Sequence, residues 1–214
     1  MTLSVDLFWS FRSPYSYLAT PRLVALEAEY DLDIAVRPVR PIALREPDFF
    51  EKRGDRWMGY TLTDVVRLAE FLGLPIAMPN PDPVVIDPAT RRAAQDQPHL
   101  TRLNRLAVEA VAHGSGLAFL DQVSRLVWSG EPWSDGDRLA AAVAESGLDL
   151  ADLEARVAGD PDARDAVIRE NESALETSGH WGVPTLVFEG EPFFGQDRID
   201  LCVWRMKQKG LQAR

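Results

Sequence analysis

The sequence predicts an α/β fold in which an opening βαβ unit and a closing ββα unit enclose a large all-helical insertion. Three observations carry this prediction. A strand, a helical stretch and a second strand fit within the first forty residues. About 130 residues of helical periodicity with almost no strand signal follow. Two short β runs around a tight turn, then an amphipathic helix, close the chain.

Leu3 to Trp9 alternates Leu3, Val5 and Leu7 against Ser4 and Asp6, the period of a half-buried strand. Ser13 suits a helix N-cap and Pro14 a first helical position, so a helix is predicted from there to about Tyr30, kinked at Pro21. A second strand spans about Asp33 to Val39, and strand–helix–strand at this spacing favours a parallel pair. Thr61 to Leu72 is amphipathic and stops at Gly73. Pro75 to Pro88 holds five prolines and reads as an irregular, rigid surface loop. Helices are predicted from about Pro88 to His113, Gly116 to Trp128 and Ser134 to Ser146, and after Gly147 and Gly159, the last opened by Asp160-Pro161. Thr185 to Phe188, the turn Glu189-Gly190-Glu191 and Pro192-Phe193-Phe194 form a hairpin. A helix from Asp197 to about Lys209 ends the pattern. The predicted organisation is a βαβ/ββα domain of residues 1–42 plus 178–214, with residues 43–177 as an inserted helical domain.

Composition narrows the function. The 214 residues carry 33 acidic and 23 basic side chains, a net charge of −10, which argues against a nucleic-acid binder. No apolar run approaches the roughly 20 residues that span a bilayer. The opening Met1-Thr-Leu-Ser-Val-Asp lacks a basic and an apolar signal region, so the expected location is the cytoplasm. The lone Cys202 excludes an internal disulfide and a multi-cysteine metal site. His99, His113 and His180 have no metal-ligand spacing. His180-Trp181, close in sequence to Pro184, could approach a site there, but His180 reads more readily as a helix-end or core histidine, and Trp128, Trp133 and Trp204 as core residues. Gly114-Ser-Gly116 lacks the rest of a phosphate loop, and no G-x-S-x-G elbow surrounds Ser13 or Ser16.

The chemistry concentrates where the first strand hands over to the first helix. At Ser13-Pro14-Tyr15-Ser16 the first backbone N–H groups of the expected helix have no partner within the helix, and the helix dipole adds roughly half a positive charge, so an anion or thiolate is stabilised there. Ser13-x-x-Ser16, Pro21 five residues beyond Ser16, and Val183-Pro184 before a later strand stand in the order of the Cys-x-x-Cys motif, kinking proline and cis-proline of the thioredoxin fold. The helical insertion between the two units resembles the DsbA-like layout. Ser13-Pro-Tyr-Ser-Tyr-Leu-Ala19, Gly182-Val-Pro184 and Phe193-Phe-Gly-Gln-Asp-Arg198 together resemble the 2-hydroxychromene-2-carboxylate isomerase and kappa-class glutathione transferase branch of that family, over essentially the whole chain.

The serines exclude dithiol–disulfide exchange, which requires a thiolate and a resolving thiol. The resemblance implies that the sulfur is imported from glutathione, or another low-molecular-weight thiol, and that Ser13 donates a hydrogen bond to it. It further implies that Pro14, Tyr15 and Ser16 lie around the thiol, and that the Val183 backbone before Pro184 pairs with it in the manner of an added strand. Gln196, Asp197 and Arg198 would receive its γ-glutamyl end, although Asp197 also suits a plain helix N-cap. Local donors at Ser13, Val183 and Arg198 must then outweigh the acidic field. The branch often carries an Asn and a Lys before the helix of Thr61–Leu72; Lys52, Arg53 and Arg56 are the candidates to replace them. Arg12, before Ser13, stands where the isomerases usually have an apolar residue. The resemblance implies a glutathione-dependent cis–trans isomerase acting on a conjugated aromatic or electrophilic small molecule, and a homodimer. A kappa-like transferase or peroxidase, or a non-catalytic binding protein on the same frame, remain alternatives.

Overall fold

The computed structural model describes residues 2–87 and 92–214. Strand β1 (Leu3–Trp9) leads into helix α1 (Pro14–Glu29) and strand β2 (Leu32–Pro38). The helical block follows as α2 (Ile42–Arg45), α3 (Phe49–Leu72), α4 (Pro98–Ala112), α5 (Gly116–Val127), α6 (Arg138–Glu145), α7 (Leu150–Gly159) and α8 (Pro161–Thr177). The chain returns as β3 (Thr185–Phe188) and β4 (Glu191–Phe194), makes a 3₁₀ turn at Gln196–Arg198, and ends in α9 (Ile199–Gln208). The four strands form one mixed sheet in the order β2-β1-β3-β4. β1 runs parallel to β2, from Leu3 opposite Leu32 to Trp9 opposite Pro38. β3 is antiparallel to β1, with Leu7 opposite Leu186, and to β4.

Strand alternation sorts the side chains of β1 onto two faces. Val5, Leu7 and Trp9 enter the main core with Leu18 and Leu23 of α1. That core continues without a break into Leu103 of α4 and Phe119 and Val123 of α5, so the strands and the helical block share one hydrophobic interior. On the other face Phe8 packs with Val39 and with Leu175 of α8. Ion pairs lace the block together: Arg105 of α4 to Asp165 of α8 at 2.7 Å, Arg40 to Glu172 at 2.7 Å, and Arg164 to Glu109.

Several boundaries differ from the sequence expectation. α3 begins at Phe49 instead of Thr61 and bends at Gly54, which sits at φ 71°, ψ 173°. Its first segment lacks a long amphipathic stripe, because Phe49 packs on Trp181 and on Trp57 beyond the bend. The expected start of the next helix, near Pro88, lies outside the described residues. Residues 92–97 are not helical, because the Gln97 side chain binds the Val85 backbone N–H and C=O and ties this stretch to the preceding loop. α6 begins at Arg138 instead of Ser134, after Gly136 at φ 57°. The proline-rich stretch is irregular as expected over its described part, yet it is anchored: Tyr17 Oη donates to the Pro75 carbonyl at 2.6 Å and Val84 is buried. Trp128 and Trp133 are core residues, whereas Trp204 is 50% exposed. Among the described residues no helix is long and apolar enough to cross a membrane.

Candidate functional site

The β1–α1 turn is built by the capping chemistry that its sequence announces. Ser13 is extended, at φ −101° and ψ 111°, and its Oγ accepts the Ser16 N–H at 3.2 Å, with Pro14 in the first helical turn. The same hydroxyl donates to the Val183 carbonyl at 3.3 Å, across 170 residues of sequence. The Val183–Pro184 bond is cis. The Pro184 carbonyl accepts from the Gly195 N–H at 2.9 Å, and Thr185 Oγ1 donates to the Gly182 carbonyl at 2.8 Å. Among the described residues nothing accepts from the Val183 N–H. No acidic residue stands in the first turn of α1, so nothing in that turn neutralises the positive end of the helix dipole.

The flanking residues divide. Tyr15 leaves the turn toward the helical block and donates to Asp64 Oδ2 of α3 at 2.8 Å. Burial, reinforced by Asp64 and more weakly by Asp197, raises its pKa well above the ordinary phenol value, so the hydroxyl stays a donor. Ser16 is fully buried behind the turn, and its Oγ has no partner; its side chain has no surface to offer a ligand, a departure from the sequence expectation. Gln196 is tied to α1, where Arg22 Nη1 donates to its carbonyl at 3.0 Å. Asp197 and Arg198 pair with each other at 2.8 Å on the exposed rim. Asp197 lies inside the 3₁₀ turn and does not cap α9. Gly195, at φ 105°, brings the backbone so close that an added Cβ would lie 2.5 Å from Asp197 Oδ1.

Three further features are set by tertiary contact. Asp64, four residues from Tyr60 on α3, reaches Tyr15 only because the bent helix crosses the turn. His180 stacks on Phe194 at 4.0 Å and on Trp181 at 5.1 Å, beside the site and outside any core. Trp181, Phe49 and Trp57 continue this aromatic shelf, with centroids 5.0 and 5.6 Å apart. The Arg53 guanidinium lies over all three rings, 4.4 Å from Phe49 and 4.9 Å from Trp181, while Lys52 and Arg56 stay on the exposed surface. Of the three basic candidates, only Arg53 is brought against the Gly182–Val183 segment through Trp181. Arg12, the other departure, donates through Nε to both oxygens of Asp82 at 2.7 and 2.8 Å and lies over Trp128, clamping the proline-rich segment beside the turn. Cys202 is buried in α9, and burial pushes its thiol up to about 12, so it takes no part.

Sheet order, the serine-bearing first turn and the proline before β3 define a thioredoxin fold that has lost both motif thiols. The DsbA-like thioredoxin domain model matches residues 4–207, and the chain belongs to that family. A 2-hydroxychromene-2-carboxylate isomerase from Pseudomonas putida is 25% identical over 200 residues, 91% of this chain and 90% of the relative. A solved structure of a 2-hydroxychromene-2-carboxylate isomerase superposes with a TM-score of 0.71 at 23% identity, covering 96% of this chain and 95% of the other. A cytosolic disulfide reductase from Pseudomonas aeruginosa shares the fold at a TM-score of 0.60 and 18% identity, covering 97% and 99%.

Proposed function

We propose that the protein is a thiol-dependent isomerase of the 2-hydroxychromene-2-carboxylate isomerase type, working with glutathione or another low-molecular-weight thiol. The observation that carries this reading is the meeting of Ser13 Oγ, the first turn of α1 and the Val183 backbone in a motif without a thiol. The likeness in sequence to the Pseudomonas putida isomerase across nine-tenths of both chains supports it.

The residues fit a cysteinyl thiol. Ser13 Oγ can turn from the Val183 carbonyl to a sulfur and hold it as a thiolate, helped by the N-terminus of α1. That turn also frees the Val183 carbonyl, which with the Val183 N–H offers one acceptor and one donor to a peptide backbone. Asp64 and Asp197 supply carboxylates for an ammonium, and Arg198 a guanidinium for a carboxylate. Tyr15, held protonated, closes the first turn, and Ser16 supports it from behind. The aromatic shelf under Arg53 matches a planar, anionic substrate. When bound, the thiol supplies reversible addition to a conjugated double bond, which lets the substrate rotate about the resulting single bond. The reading includes a cytoplasmic location and a homodimer, both carried by the family resemblance; sedimentation equilibrium checks the dimer.

Two measurements test the reading. Glutathione at about 100 times its dissociation constant stabilises the fold by about 2.7 kcal/mol, a clear thermal shift. Interconversion of 2-hydroxychromene-2-carboxylate and its ring-opened isomer, followed by absorbance, should require the thiol. Turnover of a generic aryl halide without isomerisation would move the assignment to a kappa-like transferase. No thermal shift with any small thiol would leave a binding protein.

A further inference from the structure

The segment that presents Val183 is held by a side chain outside the motif, and its role builds on the thiol site proposed above. The Gly182 N–H donates to His180 Nδ1 at 2.9 Å, a bond spanning only two residues. A ring nitrogen that accepts a hydrogen bond carries no proton, so His180 is neutral and protonated at Nε2. The imidazole is stacked on Phe194 with an interplanar angle of 20° and on Trp181 with 24°. Phe194 in turn fills the space beside Gly182, where a Cβ would lie 2.4 Å from its ring. Burial disfavours the charged imidazolium and holds the His180 pKa below its ordinary value. The charged side chains on the surrounding elements are Arg45 and Arg53, both against Trp181, Glu176, Glu191 and the Asp197–Arg198 pair. Among the described residues none of them bonds the ring.

We propose that His180 is a positioning residue: as a neutral acceptor it holds the Gly182 N–H and so sets the Gly182–Val183 segment, whose Val183 carbonyl faces Ser13, and a second proton on the ring releases that segment. Protonated Nδ1 and the Gly182 N–H would be two donors facing each other, so the segment must turn. The Ser13–Val183 contact is therefore intact at neutral pH and loosened in acid.

The test is a pH titration of ¹⁵N-labelled, ligand-free protein, with His180→Asn and His180→Phe beside it. An Asn oxygen can accept near the Nδ1 position and does not titrate, whereas Phe keeps the stacking and removes the acceptor. His180 should read as the Nε2–H tautomer, and the Gly182 and Val183 amide shifts should follow its midpoint. In His180→Asn those shifts should stay flat, with glutathione affinity kept within about twofold; His180→Phe should lose about tenfold. The proposal is overturned if the Val183 shift ignores the His180 titration, if the tautomer is Nδ1–H, or if His180→Phe binds glutathione like the parent protein. Should His180→Phe fail to fold, the titration of the parent protein decides. A parent protein that binds no thiol, yet shows Gly182 and Val183 following His180, overturns the thiol reading alone.

Discussion

Gly182→Ala places one methyl group in the most crowded position of the segment before Pro184. The new Cβ would lie 2.4 Å from Phe194 Cε2, 2.9 Å from Cζ and 3.0 Å from Cδ2, and these are the three nearest atoms. Contacts this short force movement. The methyl is fixed to the backbone, so the ring must yield, and stacking on His180 at 4.0 Å opposes its shift. Overpacking of this kind costs about 1–3 kcal/mol, and a lost aromatic pair about 0.5–1.5 kcal/mol. Phe194 is 41% exposed, which leaves it an exit toward solvent and favours the lower part of the range, about 1–2 kcal/mol. Phe194→Ala removes the obstacle and, for a half-exposed ring, costs about 1 kcal/mol. The double variant should then be no less stable than Phe194→Ala alone, a coupling of about 1–2 kcal/mol. Urea denaturation of the four proteins at a common m value measures it. Additive costs would refute the contact between Gly182 and Phe194.

Gly54→Ala should destabilise the protein by about 1–3 kcal/mol through backbone strain alone, since nothing lies within 4 Å of the added Cβ and the observed φ, ψ pair belongs almost only to glycine. A melt unchanged from the parent would mean that α3 is not bent at Gly54. Cys202, with its thiol raised to about 12 by burial, should resist alkylation at pH 9 in the folded protein and react on unfolding. A raised thiol pKa means that the folded state keeps the proton longer. This contribution to stability is therefore present below the unfolded value near 9 and is lost as pH rises toward 12. Rapid native labelling would show Cys202 to be accessible.

The elements whose physics is local were legible in the sequence. β1 and the Ser13 cap, with Pro14 at the first turn, follow from alternation and from N–H groups that only a side chain can satisfy. So does the hairpin of β3 and β4, turned by Glu189 and Gly190 at positive φ. What tertiary contact decides was hidden. The first segment of α3 shows no apolar stripe, because Phe49 finds its partners in Trp57 beyond the bend and in Trp181 after α8. The sequence places His180 close to Pro184 but favours a helix-end or core histidine, since nothing around it indicates that Phe194, fourteen residues later, returns to stack on it. Ser16 occupies a motif position and yet points inward, because the residue three after an N-cap falls on the buried side of α1. Asp64 reaches Tyr15 only through the crossing of α3 over the turn.

The proposed function requires that Ser13 and the N-terminus of α1 hold an imported sulfur as a thiolate. It is tested most directly by the thiol pKa of bound glutathione, read from thiolate absorbance across a pH titration of the protein and of Ser13→Ala. The bound thiol should titrate well below its free value and move back upward by about one pH unit or more in Ser13→Ala, equivalent to about 1.4 kcal/mol of lost thiolate stabilisation. A bound thiol that titrates as it does in water, or one equally depressed without the Ser13 hydroxyl, would contradict it.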